Sequence, residues 1–198
     1  MKKIITIGRE CGSGGHSIAL KLSKKLGIPC YDKEIISMVA EKCNVSNNYA
    51  ETAGELLTGG IFSPFLHFNE HVYPYSTNSL QNQINSTQVG IIEELANKGA
   101  CIIVGRGADY ILRHRDDVLN VFIKAPMKYK IELSKEKHNL TEKDAKAILL
   151  KRDKERSKHY YFYTGQTWGD AKNYHIVLDS SMGEELCVDL IAKAYNGN

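Results

Sequence analysis

The 198-residue sequence has no cysteine pair spaced as CxxC. Its five cysteines (Cys11, Cys30, Cys43, Cys101 and Cys187) are odd in number and scattered. That pattern offers no zinc site and no disulfide framework, and reads as reduced thiols in a reducing compartment. Long hydrophobic runs are missing too. The apolar stretch at residues 4–7 stops at Gly8, too short for a signal peptide and far too short to cross a bilayer. A cytoplasmic location without membrane contact is the expectation. Neither sign of charge dominates: 26 basic and 23 acidic residues leave +3, which suits anionic ligands but gives no case for a nucleic-acid partner. His67, His71 and His114 stand apart from one another, so no metal ligand set is expected. No repeat, low-complexity tract or linker divides the chain, and its length fits one domain over 1–198.

What is present is alternation. KIITI (3–7) is β-branched and ends at glycines, as a buried parallel strand does. Ile18, Ala19, Leu22 and Leu26 then recur at helical spacing until Gly27 and Pro29. Residues 28–31 read as a second strand, followed by Asp32, and 33–57 as a helix. Residues 58–85 mix glycine, proline and aromatics and read as a lobe of their own. Further helices are expected at 86–98, 127–138, 141–158 and 183–195. Further strands are expected at 100–105, 118–125 and 175–181, and Thr141 with Asp144 forms a capping signal. Five strands alternating with helices predict a parallel α/β sheet.

The segment GRECGSGGHS (8–17) carries the most chemistry. Four glycines in eight positions, between strand and helix, let backbone amides curl around an anion, and the helix N-terminus adds partial positive charge. Gly12, Ser13, Gly14, Gly15, His16 and Ser17 are therefore the expected nucleotide-binding residues. A standard phosphate loop, GxxxxGK[ST], has lysine after its last glycine; here Gly15 holds that place. Arg9, His16 or another arginine is left to supply the charge. A dinucleotide fingerprint is not matched, because GSGGHS has no glycine at its end. Arg152 and Arg156 lie four apart, on one face of a helix, with Asp153 three before Arg156 and able to orient it. The aromatic run at 159–170 fits a stacking platform over a ligand, packing beneath a lid, or an oligomer contact.

Taken with IIVGRGADYIL, KRDKERSKHYYFYTGQTWGD and YHIVLDSS, the loop makes the chain resemble the cytidylate kinase-like family of P-loop proteins over nearly its whole length. The resemblance implies a three-layer P-loop NTPase fold: a five-stranded parallel sheet flanked by helices, an acceptor-binding lobe at 58–88 and a helical lid at 141–172. It implies that Asp32 and Arg106 hold the acceptor, Arg106 matching the arginine of a GRD segment whose aspartate is replaced by Gly107. It also implies that Arg152, Asp153 and Arg156 serve catalysis in the lid. ATP and Mg²⁺ are the implied cofactors, with Ser17 or His16 near the metal, and a small phosphorylated acceptor such as CMP is the implied partner. A homodimer stays open. So do two rival readings: a kinase for another small acceptor, and a nucleotide-binding regulatory protein that has lost catalysis.

Overall fold

A computed structural model describes residues 2–55, 80–138 and 140–197. Its sheet has five parallel strands, β1 (Ile4–Arg9), β2 (Cys30–Tyr31), β3 (Cys101–Val104), β4 (Val118–Lys124) and β5 (Ile176–Asp179), in the order β2-β3-β1-β4-β5. The central strand pairs on both sides, Ile4 opposite Cys101 and Val118. Alternation along the strands feeds two cores. Ile4 and Ile103 face one, while Ile5, Ile7, Ile102 and Val104 face the other. Helices α2 (Lys33–Cys43) and α4 (Leu80–Lys98) cover the first core; α1 (Gly15–Leu26) and α8 (Glu184–Asn196) cover the second. The result is the three-layer arrangement expected.

Among the described residues the remaining α-helices are α3 (Asn47–Glu55), α5 (Ala108–Ile111), α6 (Met127–His138) and α7 (Glu142–Thr164). Three boundaries differ from the sequence expectation, the first being that of the helix foreseen over 86–98, which covers Leu80–Lys98. The helix foreseen over 33–57 breaks at Asn44, which adopts φ 53° and sends its N–H to Ala40 and Glu41 carbonyls. Asparagine tolerates that left-handed cap, and Ser46 then opens α3 by accepting the Tyr49 N–H. The helix foreseen to end at 158 runs on to Thr164, where Gly165 with φ 67° stops it. Nothing before Gly165 breaks the turn, so half of the aromatic run is helical. At its start, Thr141 accepts the Asp144 N–H as expected. Most of the lobe expected at 58–88 lies outside the described residues. Among those described, no helix is long and apolar enough to cross a membrane.

In an open parallel sheet, ligands bind beyond the carboxyl ends of the strands where the winding reverses. Here the segments following β1, β2 and β3 meet at that edge.

Candidate active site

The loop after β1 turns sharply into α1. Gly12 and Gly14 take φ 75° and 74°, a region that other residues enter at a cost. Ser13 is fully buried; its carbonyl accepts the Ser180 hydroxyl at 2.6 Å, which ties the loop to the turn after β5. The first amides of α1 have no partners within the helix, and they point out of its N-terminus as anion donors. The lysine position is closed by packing: a Cβ on Gly15 would lie 2.7 Å from Arg9 Cβ and 3.0 Å from its Cγ.

Arg9 leaves the end of β1 and runs under Gly105, where any side chain would collide with its guanidinium. Its Nη2 donates to Asp32 Oδ1 at 3.1 Å. Burial, then the neighbouring Arg156, push its pKa down to about 10, with Asp32 opposing. Asp32, at the C-terminal end of β2, is itself buried, and its second oxygen meets His16 Nδ1 at 2.7 Å. His16 therefore serves Asp32. It does not replace the missing lysine.

After β3, Gly105, Arg106 and Gly107 take φ 73°, 58° and 65° in succession. A left-handed arginine costs on the order of 1–2 kcal/mol, and such outliers concentrate at functional sites. The turn sets Arg106 at the wall of a cavity of about 350 Å³, which is also lined by Arg9, Arg152, Arg156, Asp32 and Lys33. Arg156 reaches over from α7 and donates from Nη1 to the Arg9 carbonyl at 3.1 Å. Four arginines from three segments thus line one cavity; Glu51, Asp109 and Glu155 join Asp32 in the same lining, which leaves a small excess of positive charge suited to an anion. Aromatic side chains line the cavity as well: Tyr160, Trp168 and Tyr174. Trp168 is set edge-on against Phe122, with ring centres 5.3 Å apart. Tyr160 donates to Asp109 Oδ2 at 2.6 Å, and burial raises the Asp109 pKa against that bond. Arg106, Gly107, His159 and Tyr160 also wall a second cavity of about 360 Å³, which reaches Asn85, Gln88 and Val89 of α4.

One expected partnership is overturned. Asp153 does not orient Arg156. Its Oδ1 accepts the Cys11 N–H at 2.6 Å and its Oδ2 meets Lys130 Nζ at 2.9 Å. On α7 the two side chains diverge, because Asp153 turns toward α6 and the loop while Arg156 turns toward the cavity. Ser17, expected near the metal, donates to Glu184 Oε2 at 2.7 Å. Lys130, Glu10 and Glu184 join the site only through the fold: Glu10 lies inside the loop and is legible by position, whereas nothing in the spacing marks the other two.

The fold and site invite comparison with known proteins. A family model described as the cytidylate kinase-like family matches residues 4–182. The crystal structure of an uncharacterized protein from Eubacterium ventriosum ATCC 27560 is similar over 100% of both chains, with 28% identity and a TM-score of 0.74. Shikimate kinase from Bacteroides thetaiotaomicron is similar over 98% of each chain, at 10% identity and TM-score 0.57. A gluconokinase from Sinorhizobium meliloti 1021 is similar over 98% of this chain and 94% of its own, at 12% identity and TM-score 0.55. The last two likenesses are of fold alone. No curated protein matches the chain by sequence.

Proposed function

The chain belongs to the cytidylate kinase-like family, and on that premise we propose that it transfers a phosphoryl group from ATP to a nucleoside monophosphate such as CMP. Supporting this is the cavity between glycine loop and lid helix, where Arg9, Arg106, Arg152 and Arg156 gather beside an aromatic wall. The arginines suit the acceptor phosphate and the transferring group, and the cavity behind Arg106 leaves room for a nucleoside. Phosphoryl transfer asks little covalent chemistry of a protein; alignment and charge neutralisation carry most of it.

The loop turns as a phosphate-binding loop does, with Gly12 and Gly14 at positive φ before the N-terminus of α1, and Leu149, Glu184 and Arg9 pack close against Gly12, Gly14 and Gly15. Residues 12–17 would hold ATP, which with Mg²⁺ supplies the transferable group. Ser17, whose hydroxyl is held by Glu184, and the nucleotide's own phosphates would be the donors for Mg²⁺. Arg156, on the Arg9 carbonyl, brings positive charge to the junction of loop and cavity that Gly15 cannot provide. Arg106 fixes the acceptor phosphate. Asp32 holds Arg9 and His16 in place through its two oxygens.

A coupled assay over CMP, UMP, AMP, GMP and dCMP tests the reading; ADP release with a pyrimidine monophosphate is the expected result. Failure with every monophosphate, alongside phosphorylation of another small acid, would redirect it to a different acceptor. ATP binding without turnover on any acceptor would favour the regulatory reading, for which the lysine-free loop speaks.

A further inference from the structure

The glycine loop already holds an anion, and that anion belongs to the protein. Asp153 of α7 puts one carboxylate oxygen 2.6 Å from the Cys11 amide nitrogen and the other 2.9 Å from Lys130 Nζ. Lys130 is buried, with only 4% of its surface exposed. Its stem lies along the loop, its Cβ 3.3 Å from where a Cβ on Gly12 would be. Glu10 Oε2 takes a further bond from the ammonium at 3.0 Å, and is itself held by the Ala125 N–H. A backbone amide and a lysine on adjacent oxygens of one anion are what a phosphate loop offers a phosphate. In the familiar loop the lysine comes from the loop itself; here it comes from α6.

We propose that Cys11 N–H and Lys130 Nζ form a phosphate subsite of the donor nucleotide, and that Asp153 is the placeholder which the polyphosphate displaces. This rests on the phosphotransfer reading above and deepens it, because it names the cation that stands in for the lysine missing at Gly15. Displacement frees donors. With Asp153 moved away, Lys130 keeps Glu10 as its one carboxylate partner and, with the Cys11 N–H, has a donor open to an incoming anion. A phosphate has its oxygens spaced much like those of a carboxylate and can take both bonds at once. Displacement also removes one tie between α7 and the loop, three residues before Arg156, which keeps its own bond to the Arg9 carbonyl.

Calorimetric titration of the intact protein with MgATP and with inorganic tripolyphosphate tests this, comparing wild type with Asp153→Asn, Asp153→Ala and Lys130→Met. Removing a competing carboxylate should tighten both ligands about tenfold, and removing the ammonium should weaken both by at least as much, as expected for one charged hydrogen bond. Melting curves report which variants fold; if Lys130→Met does not, the two Asp153 variants decide alone. Wild-type binding with affinity unchanged or weakened in both Asp153 variants overturns the placeholder while leaving the phosphotransfer reading intact. No binding of either ligand by wild type or by any folded variant overturns both.

Discussion

Arg9 lies across Gly15, its Cβ 2.7 Å from the point where a side chain at that position would begin. The loop therefore dispenses with its lysine for a steric reason, since the arginine stem fills the space. Restoring the motif by Gly15→Lys should harm the protein. Forcing atoms against a backbone-anchored Cβ costs about 1–3 kcal/mol, a fall in Tm of roughly 2–12 °C for a domain of this size. A Gly15→Lys protein that melts like wild type and binds ATP more tightly would refute this account.

Arg156 reaches the loop from α7 through its bond to the Arg9 carbonyl. Arg156→Ala should lower kcat by about 10²–10³-fold, the cost of losing one preorganised donor. Lysine in its place should recover only part, since a guanidinium offers paired donors that an ammonium lacks. ATP affinity should change far less than turnover. Initial rates beside equilibrium binding give the comparison.

The arginines of the cavity repel one another, and the lowered pKa of Arg9 registers both its burial and the nearby Arg156. An anion between them should stabilise the fold. At one hundred times its Kd, a ligand that binds only the native state adds about 2.7 kcal/mol, or roughly 5–10 °C in Tm. CMP should give that shift and cytidine should not. Equal shifts from both would mean that the phosphate is not what the cavity reads.

Asp109 is buried, and burial lifts its pKa above the ordinary 3.8 although Tyr160 donates to it. The folded state therefore holds this proton more tightly than the unfolded state, so stability falls as pH rises from about 3.8 through the folded pKa. Asp109→Asn, which keeps an acceptor for Tyr160 without the charge, should melt higher than wild type at pH 7. The gap should close as pH drops toward 3.8. Tyr160→Phe removes the bond and leaves the carboxylate buried, costing about 1–3 kcal/mol. Melting curves from pH 4 to 8 on the three proteins decide the matter.

Much of this molecule was readable from the order of its residues. β-branched runs stopped by glycine, and apolar positions three or four apart, determined five parallel strands and the helices between them, because burial on both faces leaves few other arrangements. The glycine loop, Asp32, Arg106 and the Arg152–Arg156 pair were legible as well, since each sits at a strand end or on one helix face. The break at Asn44 and the extension of α7 to Thr164 were not, because single-residue caps weigh little against periodicity until the neighbours are packed.

Partnerships were the province of the tertiary structure. Sequence spacing placed Asp153 near Arg156, yet packing of α6 against α7 turned it to Lys130 and Cys11, residues 23 and 142 positions away. Spacing left Arg9 and His16 as rivals for the lysine's charge; the fold gave both to Asp32. Local propensity acts along the chain, whereas a charge takes whichever opposite charge the folded backbone brings within about 4 Å. That pairing is settled only when the helices have docked.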